Sequence, residues 1–338
     1  MTIDFATPTV GLDFAQTVHK KLVHKHAIDE AFVTGWECRD DSVLLTAVLP
    51  RAHTLYCEFP VEDRLPDIAL ITEVCRQSCF VVAHTKFDVP VVNNRYQFLL
   101  QNIETSLFDL DKLPPARPVE LLVECTIEET RRRGQELSAL VWRFRVTDPT
   151  RQVHVADVLM RMTWIDRGDW RRMRNSMRRG RGLPEQIDSP ALAEGRVTPE
   201  QVGRRNIDNV VLQDIVADGA GYRAQARVDR RHPVLFDHPI DHVYAMVQLE
   251  TCRQLSLFVQ SRHDGVAASE VEVSGFAVRF ESVAELDLPL TLAHQGPVTG
   301  PDGRLTHPIR LEQGGRLVSE FTLTTQPRRA YLTPALGA

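Results

Sequence analysis

Lysine is scarce in this chain: only 5 of its 40 basic residues are Lys, and the other 35 are Arg. The six cysteines (Cys38, Cys57, Cys75, Cys79, Cys125, Cys252) form no C-x-x-C pair, which fits reduced thiols better than a disulfide frame or a zinc site. No apolar run approaches the roughly 18 residues of a membrane span. The first twenty residues carry Asp4 and Asp13 and lack a basic stretch followed by an apolar one, so a cytoplasmic protein is expected, neither secreted nor membrane-bound. G-x-G-x-x-G, the P-loop and G-x-S-x-G are absent, so neither a nucleotide cofactor nor a serine triad has support, and no cofactor is expected. A net charge of −5 argues against a nucleic-acid-binding surface over the protein as a whole.

What is present is a globular composition, 43% hydrophobic and 25% charged over 338 residues, enough to bury a core in about two domains. The chain repeats itself once. Residues 51 to 77 and 230 to 254 both run from His through Phe and Pro to E-x-C-R-Q, as Glu73-Val74-Cys75-Arg76-Gln77 and Glu250-Thr251-Cys252-Arg253-Gln254. Upstream, Lys25 to Asp29 aligns with Arg204 to Asp208, and His53 with His232, at a separation of 179; the Glu pair is 177 apart, so one two-residue gap suffices.

Each half shows the same coarse order. Strand-like runs (31 to 38 and 43 to 49; 209 to 216 and 222 to 228) precede a helix, predicted over 67 to 85 and 241 to 260, with Asp67 and Asp241 as the caps. Longer alternating runs follow at 120 to 127, 140 to 146, 153 to 164, 270 to 280 and 317 to 324. The expected fold is α+β, with each half an antiparallel sheet wrapped around one central helix. The expected units are 1–165 and 203–338, with 166–202 as an Arg-rich linker. Within residues 166 to 182 of that linker, Arg167, Arg171, Arg172, Arg174, Arg178, Arg179 and Arg181 face only Asp166 and Asp169. It reads as a solvated connector or as a docking patch for an acidic partner, with Trp170 and Met177 as apolar anchors.

On a helix, residues at i, i+3 and i+4 share a face, so Glu73, Arg76 and Gln77 project together, as do Glu250, Arg253 and Gln254. A carboxylate and a guanidinium on a largely apolar helix are either a satisfied ion pair or a buried site, and duplication favours a site. The loop before each helix adds His53 in one half and His232, His238 and His242 in the other. His238 and His242 stand four apart beside Asp237 and Asp241, but the pair does not recur in the first half, so no metal site is expected.

A repeated helix carrying E-x-x-x-Q, preceded by a loop with His, Phe and Pro, resembles the double hotdog proteins. More narrowly, the chain resembles the A-factor synthase (AfsA-like) family, the γ-butyrolactone signal makers of streptomycetes. The resemblance rests on His19-Lys20 or His24-Lys25 leading to Glu30 through Thr34, the two E-x-C-R-Q motifs, Ala83-His84 with Val89-Pro90, and Phe236-Asp237-His238-Pro239 with Asp241-His242-Val243. It spans about residues 18 to 325. Two positions depart from it: Tyr244-Ala245 stands where Pro-Gly is usual, and Asp88 where Gly is usual before Val-Pro.

The resemblance implies a tandem hotdog, an internal pseudo-dimer that leaves a homodimer of whole chains open. It also implies transfer of a β-ketoacyl group from an acyl carrier protein thioester to dihydroxyacetone phosphate. Glu73, Glu250 and Arg253 are then the catalytic candidates, and Arg76, Gln77, Gln254, His53, His232 and His242 the substrate-binding ones. Either Glu is taken as the base, with an Arg as the phosphate clamp. A thioesterase or dehydratase, and a non-catalytic acyl-binding protein, are the alternatives on the same fold.

Overall fold

The computed structural model describes residues 12–59, 66–91, 95–113, 118–188 and 197–328. The ends of the expected units and residues 189 to 196 of the linker lie outside these. The first half contains β1 (Val33–Cys38), β2 (Ser42–Leu49), α1 (Ile68–Thr85), β3 (Tyr96–Leu107), β4 (Val119–Arg133), β5 (Glu136–Asp148) and β6 (Val153–Asp166). After α2 (Arg167–Gly180) come β7 (Leu212–Asp218), β8 (Gly221–Ala226), α3 (Ala245–Asp264), β9 (Val271–Phe280), β10 (Thr291–His294), β11 (Val298–Thr299), β12 (Leu305–Gln313) and β13 (Arg316–Pro327).

The strands order as β1-β2-β4-β5-β6-β3 in the first half and β7-β8-β10-β12-β13-β9 in the second, the same arrangement twice. The two sixes meet edge to edge where β3 pairs antiparallel with β9, from Asn102 opposite Arg279 to Ser106 opposite Gly275. Together with β11 beside β12, they form one 13-stranded sheet. Joining the two edge strands removes a row of unpaired backbone groups that an isolated half would expose. Each half thus has a sheet curled round one helix, as the duplication predicts.

α1 is buried along nearly its whole length, because β1, β2, β3 and β6 wrap it and α3 and β9 of the other half close it off. Its apolar residues form the core with inward positions of the strands, such as Leu45, Trp142, Phe144 and Met160. Burial all round obliges its polar residues to find partners inside the protein. Thr72 bonds Thr105 of β3, and Ser78 donates to the Val74 carbonyl one turn back. Asp67 caps the helix as expected, accepting from the Ala69 amide at 2.8 Å. Asp88, in the position where Gly is usual, has φ +53°, a left-handed conformation that Asp adopts more readily than most residues.

Two expectations fail here. Asp241 does not cap the second helix: α3 starts at Ala245 with Tyr244 at the cap position and no side-chain cap bond. The Asp241 carboxylate is instead taken by α2. The linker is likewise no solvated connector over its first part. Arg167–Gly180 is a helix whose buried residues, Trp170, Arg174 and Arg178, recur at four-residue steps. Arg174 Nη1 and Nη2 donate to Glu285 at 2.8 and 2.7 Å, and Arg178 reaches both Glu285 and Asp287 at 2.5 Å. Two of the seven arginines are therefore spent inside the fold, while Arg171, Arg172 and Arg179 face solvent.

Candidate functional site between the two halves

The duplicated motif builds the same network twice. In the first half, Gln77 Nε2 donates to the Glu30 carbonyl at 2.7 Å while its Oε1 accepts from the Phe32 amide at 2.9 Å, tying α1 to the start of β1. In the second, Gln254 does the same with the Asn209 carbonyl (2.7 Å) and the Val211 amide (3.0 Å). His53 Nε2 lies 3.2 Å from Glu30, and His232 Nε2 bonds Asn209 Oδ1 at 2.9 Å. The Nδ1 of each ring accepts backbone amides of its own loop. His53, His232, Gln77 and Gln254 are thereby committed to holding loops and strands against the helices.

The two glutamates are equally enclosed. Arg76 clasps Glu73 with two hydrogen bonds of 2.7 and 2.8 Å, Lys25 lies 3.2 Å away, and Gln77 donates at 3.0 Å. Burial alone raises the Glu73 pKa, but Arg76 and Lys25 outweigh it and hold the carboxyl well below the usual carboxylate range. Arg204 grips Glu250, with Nε donating at 3.0 Å and Nη2 in contact at 2.6 Å without hydrogen-bond geometry. Gln254 donates to the same carboxylate at 2.5 Å. Lys25 and Arg204 are repeat-related cations on repeat-related carboxylates.

The halves also hold each other symmetrically. Asp237 accepts from the His26 and Ala27 amides of the first half at 2.8 Å each, and Glu58, its repeat equivalent, accepts from the Asn206 amide of the second at 2.8 Å. Each contact brings the start of one half's helix towards the Glu/Arg face of the other half. Two related clefts result, and they differ.

At the start of α1, Asp67 both caps the helix and lies 3.4 Å from Arg253, which also lies 3.4 Å from Glu250. A cavity of about 80 Å³ remains beside this pair, lined by Tyr56, Glu58, Arg204 and Leu257 among others. That is small against the several hundred Å³ of an ordinary ligand pocket. At the start of α3, the equivalent of Asp67 is Tyr244, whose side chain makes no cap bond. Its hydroxyl donates to the His238 carbonyl at 3.4 Å. Burial raises the Tyr244 pKa, and the nearby Arg76 charge pulls it back, which places α1's Arg76 within electrostatic reach of the α3 start. Arg76 has no second carboxylate corresponding to Asp67 among the described residues.

Histidines gather around this second cleft. His238 Nδ1 bonds Asp237 at 3.0 Å, and His242 Nδ1 bonds Asp241 at 2.7 Å, leaving each Nε2 for another partner. Burial alone raises the Asp241 pKa, but the His242 hydrogen bond and the charges of His242 and Arg174 hold it at about 2, so it is ionised at neutral pH. His24 Nε2 and His84 Nε2 are hydrogen-bonded at 2.8 Å, and His24 stacks on Phe80, over which Arg76 also lies. Burial holds both rings towards the neutral form.

Of the residues singled out from sequence, the structure sets His242 beside the start of α3, with Arg76 and Glu73 near it, and Arg253 and Glu250 beside the start of α1. His53, His232 and the two glutamines stand behind them. Asp237, His238 and Tyr244 were given no role by sequence reasoning. The signal available was the repeat itself: 177 residues separate Asp67 from Tyr244, as they do Glu73 from Glu250, and at this position the copies disagree in charge.

The profile of the A-factor biosynthesis hotdog domain (AfsA) matches residues 7–165 and 186–328. A 2-oxo-3-(phosphooxy)propyl 3-oxoalkanoate synthase of Streptomyces virginiae is 30% identical over 81% of this chain and 85% of that protein. One from Streptomyces coelicolor is 30% identical over 92% of each. The solved 12:0-ACP thioesterase from Umbellularia californica aligns with a TM-score of 0.49 at 14% identity, over 84% of this chain and 94% of that one. No helix among the described residues is long and apolar enough to cross a membrane. With both halves matched by one profile and relatives at 30% identity over most of its length, the chain belongs to the A-factor biosynthesis hotdog family.

Proposed function

We propose that the protein transfers a β-ketoacyl group from a carrier thioester to the primary hydroxyl of dihydroxyacetone phosphate. The product in the relatives' name, a 2-oxo-3-(phosphooxy)propyl 3-oxoalkanoate, is the ester of those two parts. The observation that carries the reading for this chain is the inequality of the two clefts. At the start of α1 a carboxylate, Asp67, stands 3.4 Å from Arg253; at the start of α3 Tyr244 takes that place, with no side-chain cap and two Asp-held histidines beside it.

At the start of α3 the acceptor oxygen attacks the thioester carbonyl carbon and the C–S bond breaks. The hydroxyl proton passes to His242 Nε2 and from there to the departing sulfur. The first amides of α3 face the charge that develops on the carbonyl oxygen, and Arg76 takes the phosphate. Glu73, already bonded by Arg76, Lys25 and Gln77, is a poor proton acceptor and serves by fixing the guanidinium. Of the two repeated Glu/Arg sets, the first works on substrate, and Glu250 with Arg204 and Gln254 holds the second half together.

An acyl carrier protein as donor fits the outer face of α2, where Arg171, Arg172 and Arg179 are exposed beside the cleft. The test is mass spectrometry of the product from a carrier-bound β-ketoacyl thioester, with and without dihydroxyacetone phosphate. The expected result is the phosphorylated ester, formed only with the acceptor. Replacing the three exposed arginines by Ser slows this donor at low salt and spares a small thioester analogue. Release of free β-keto acid at the same rate with and without acceptor makes the protein a thioesterase, and equal use of both donors by the Ser variant removes α2 as the docking face.

A further inference from the structure

The arginine run has an inner face that no docking role explains. Trp170, Arg174 and Arg178 form a stripe at i, i+4 and i+8, and each is almost fully enclosed. Arg178 and part of Arg174 anchor α2 to the second half through Glu285 and Asp287. That anchoring is complete without Asp241, yet the stripe converges on it. Trp170 Nε1 donates to Asp241 Oδ2 at 3.2 Å, Arg174 Nε donates to the same oxygen at 3.1 Å, and Arg174 Nη2 donates to the Asp241 carbonyl at 3.0 Å. The other oxygen, Oδ1, is left to His242 Nδ1 at 2.7 Å. The Trp170 ring also stands edge-on to the His242 ring, with centroids 6.0 Å apart.

We infer that α2 is a positioning helix for the reaction, with Trp170 and Arg174 fixing Asp241 so that it holds His242 with Nδ1 protonated and Nε2 turned to the substrate. The inference rests on the reading that His242 takes the acceptor proton. A carboxylate bonded on both oxygens and on its own carbonyl has one orientation left, and a ring bonded to it has one tautomer. Arg174 is itself fixed, because Glu285 binds it through two parallel hydrogen bonds and the Glu285 amide donates to Gln313 Oε1 at 2.7 Å. The chain of contacts runs from β12 through α2 to the cleft. It accounts for a helix inserted between the two halves at the point where the second half's pre-helix loop carries the histidines.

The charged and titratable groups around His242 are Asp241 and Tyr244 from its own loop and Arg174 from α2. The test is kcat and the acceptor KM for acyl transfer in Asp241→Asn, Arg174→Gln and Trp170→Phe, each with a thermal melt. Asp241→Asn and Arg174→Gln lower kcat per folded molecule by about 10- to 100-fold, the usual loss when the partner that orients a working histidine is removed. Trp170→Phe keeps every charge, lowers kcat severalfold, and leaves the acceptor KM near that of the wild type. A purely structural cluster has a different signature: the folded fraction keeps the wild-type kcat in all three variants, and that result overturns the inference. If Arg174→Gln fails to fold, the kcat of Asp241→Asn and of Trp170→Phe decides. His242→Gln is the control, because wild-type turnover in that variant removes the proton-acceptor reading itself, whereas an inactive His242→Gln beside wild-type kcat in the other three removes only the role of α2.

Discussion

His242→Gln is expected to lower kcat for acyl transfer by about 10²- to 10⁴-fold, the usual loss on removing a positioned base, with an unchanged melting temperature. The ring is only 16% exposed, and its single hydrogen bond among the described residues is to Asp241. Glutamine fills a similar space and can still bond that carboxylate, so the fold loses little, whereas a neutral amide cannot carry the proton. Thiol release from the donor, followed beside a circular-dichroism melt, separates the two effects. A variant that turns over at the wild-type rate places the base elsewhere.

The second large effect is one of stability. Glu73→Gln leaves Arg76 and Lys25 without their shared carboxylate, and Glu250→Gln does the same to Arg204. Breaking a buried pair by removing one partner typically costs about 3–5 kcal/mol, so both variants are expected to show clearly lowered denaturation midpoints. Their expected rates differ. Glu250→Gln keeps the wild-type rate per folded molecule, because it stands apart from the site proposed at the start of α3. Glu73→Gln also loses acceptor affinity, because Arg76 is no longer held. A rate loss of 10²-fold or more at an unchanged midpoint in either variant marks that glutamate as the base.

Much of the fold was legible because the chain states it twice. The strands up to β2, the helix from Asp67 and the alternation in β6 each follow from local pattern, and the repeat made them a pair. What escaped did so for physical reasons. β12 alternates perfectly, but His307 and Gln313 occupy inward positions between Leu305, Ile309 and Leu311, so its buried face does not read as apolar. The partners that make those residues tolerable, Thr325 for His307 and the Glu285 and Leu288 carbonyls for Gln313, are distant in sequence. α2 was read as a connector because its buried stripe is one Trp and two Arg, whose partners Glu285 and Asp287 lie more than a hundred residues on.

The site was legible in its materials and not in its arrangement. Asp241 before a helical run has the spacing of a cap, and only the approach of Trp170 and Arg174 shows why the helix begins later, at Ala245. The E-x-x-R-Q motif stood out because it is shared. The chemistry proposed at the start of α3 depends instead on where the copies differ, with Tyr244 opposite Asp67 and His238 opposite Phe59. A repeat draws attention to what both halves need for folding. One working cleft needs only one of them to diverge.

The most direct test of that account is to give the start of α3 the carboxylate that stands at the start of α1. Tyr244→Asp puts a carboxylate at the α3 cap within reach of Arg76, as Asp67 stands to Arg253. Dihydroxyacetone phosphate binding is then measured by titration calorimetry in both proteins. The account predicts one site per wild-type chain and at least tenfold weaker binding in a Tyr244→Asp variant that melts normally. Two equivalent sites in the wild type, or unchanged binding in the variant, contradicts it.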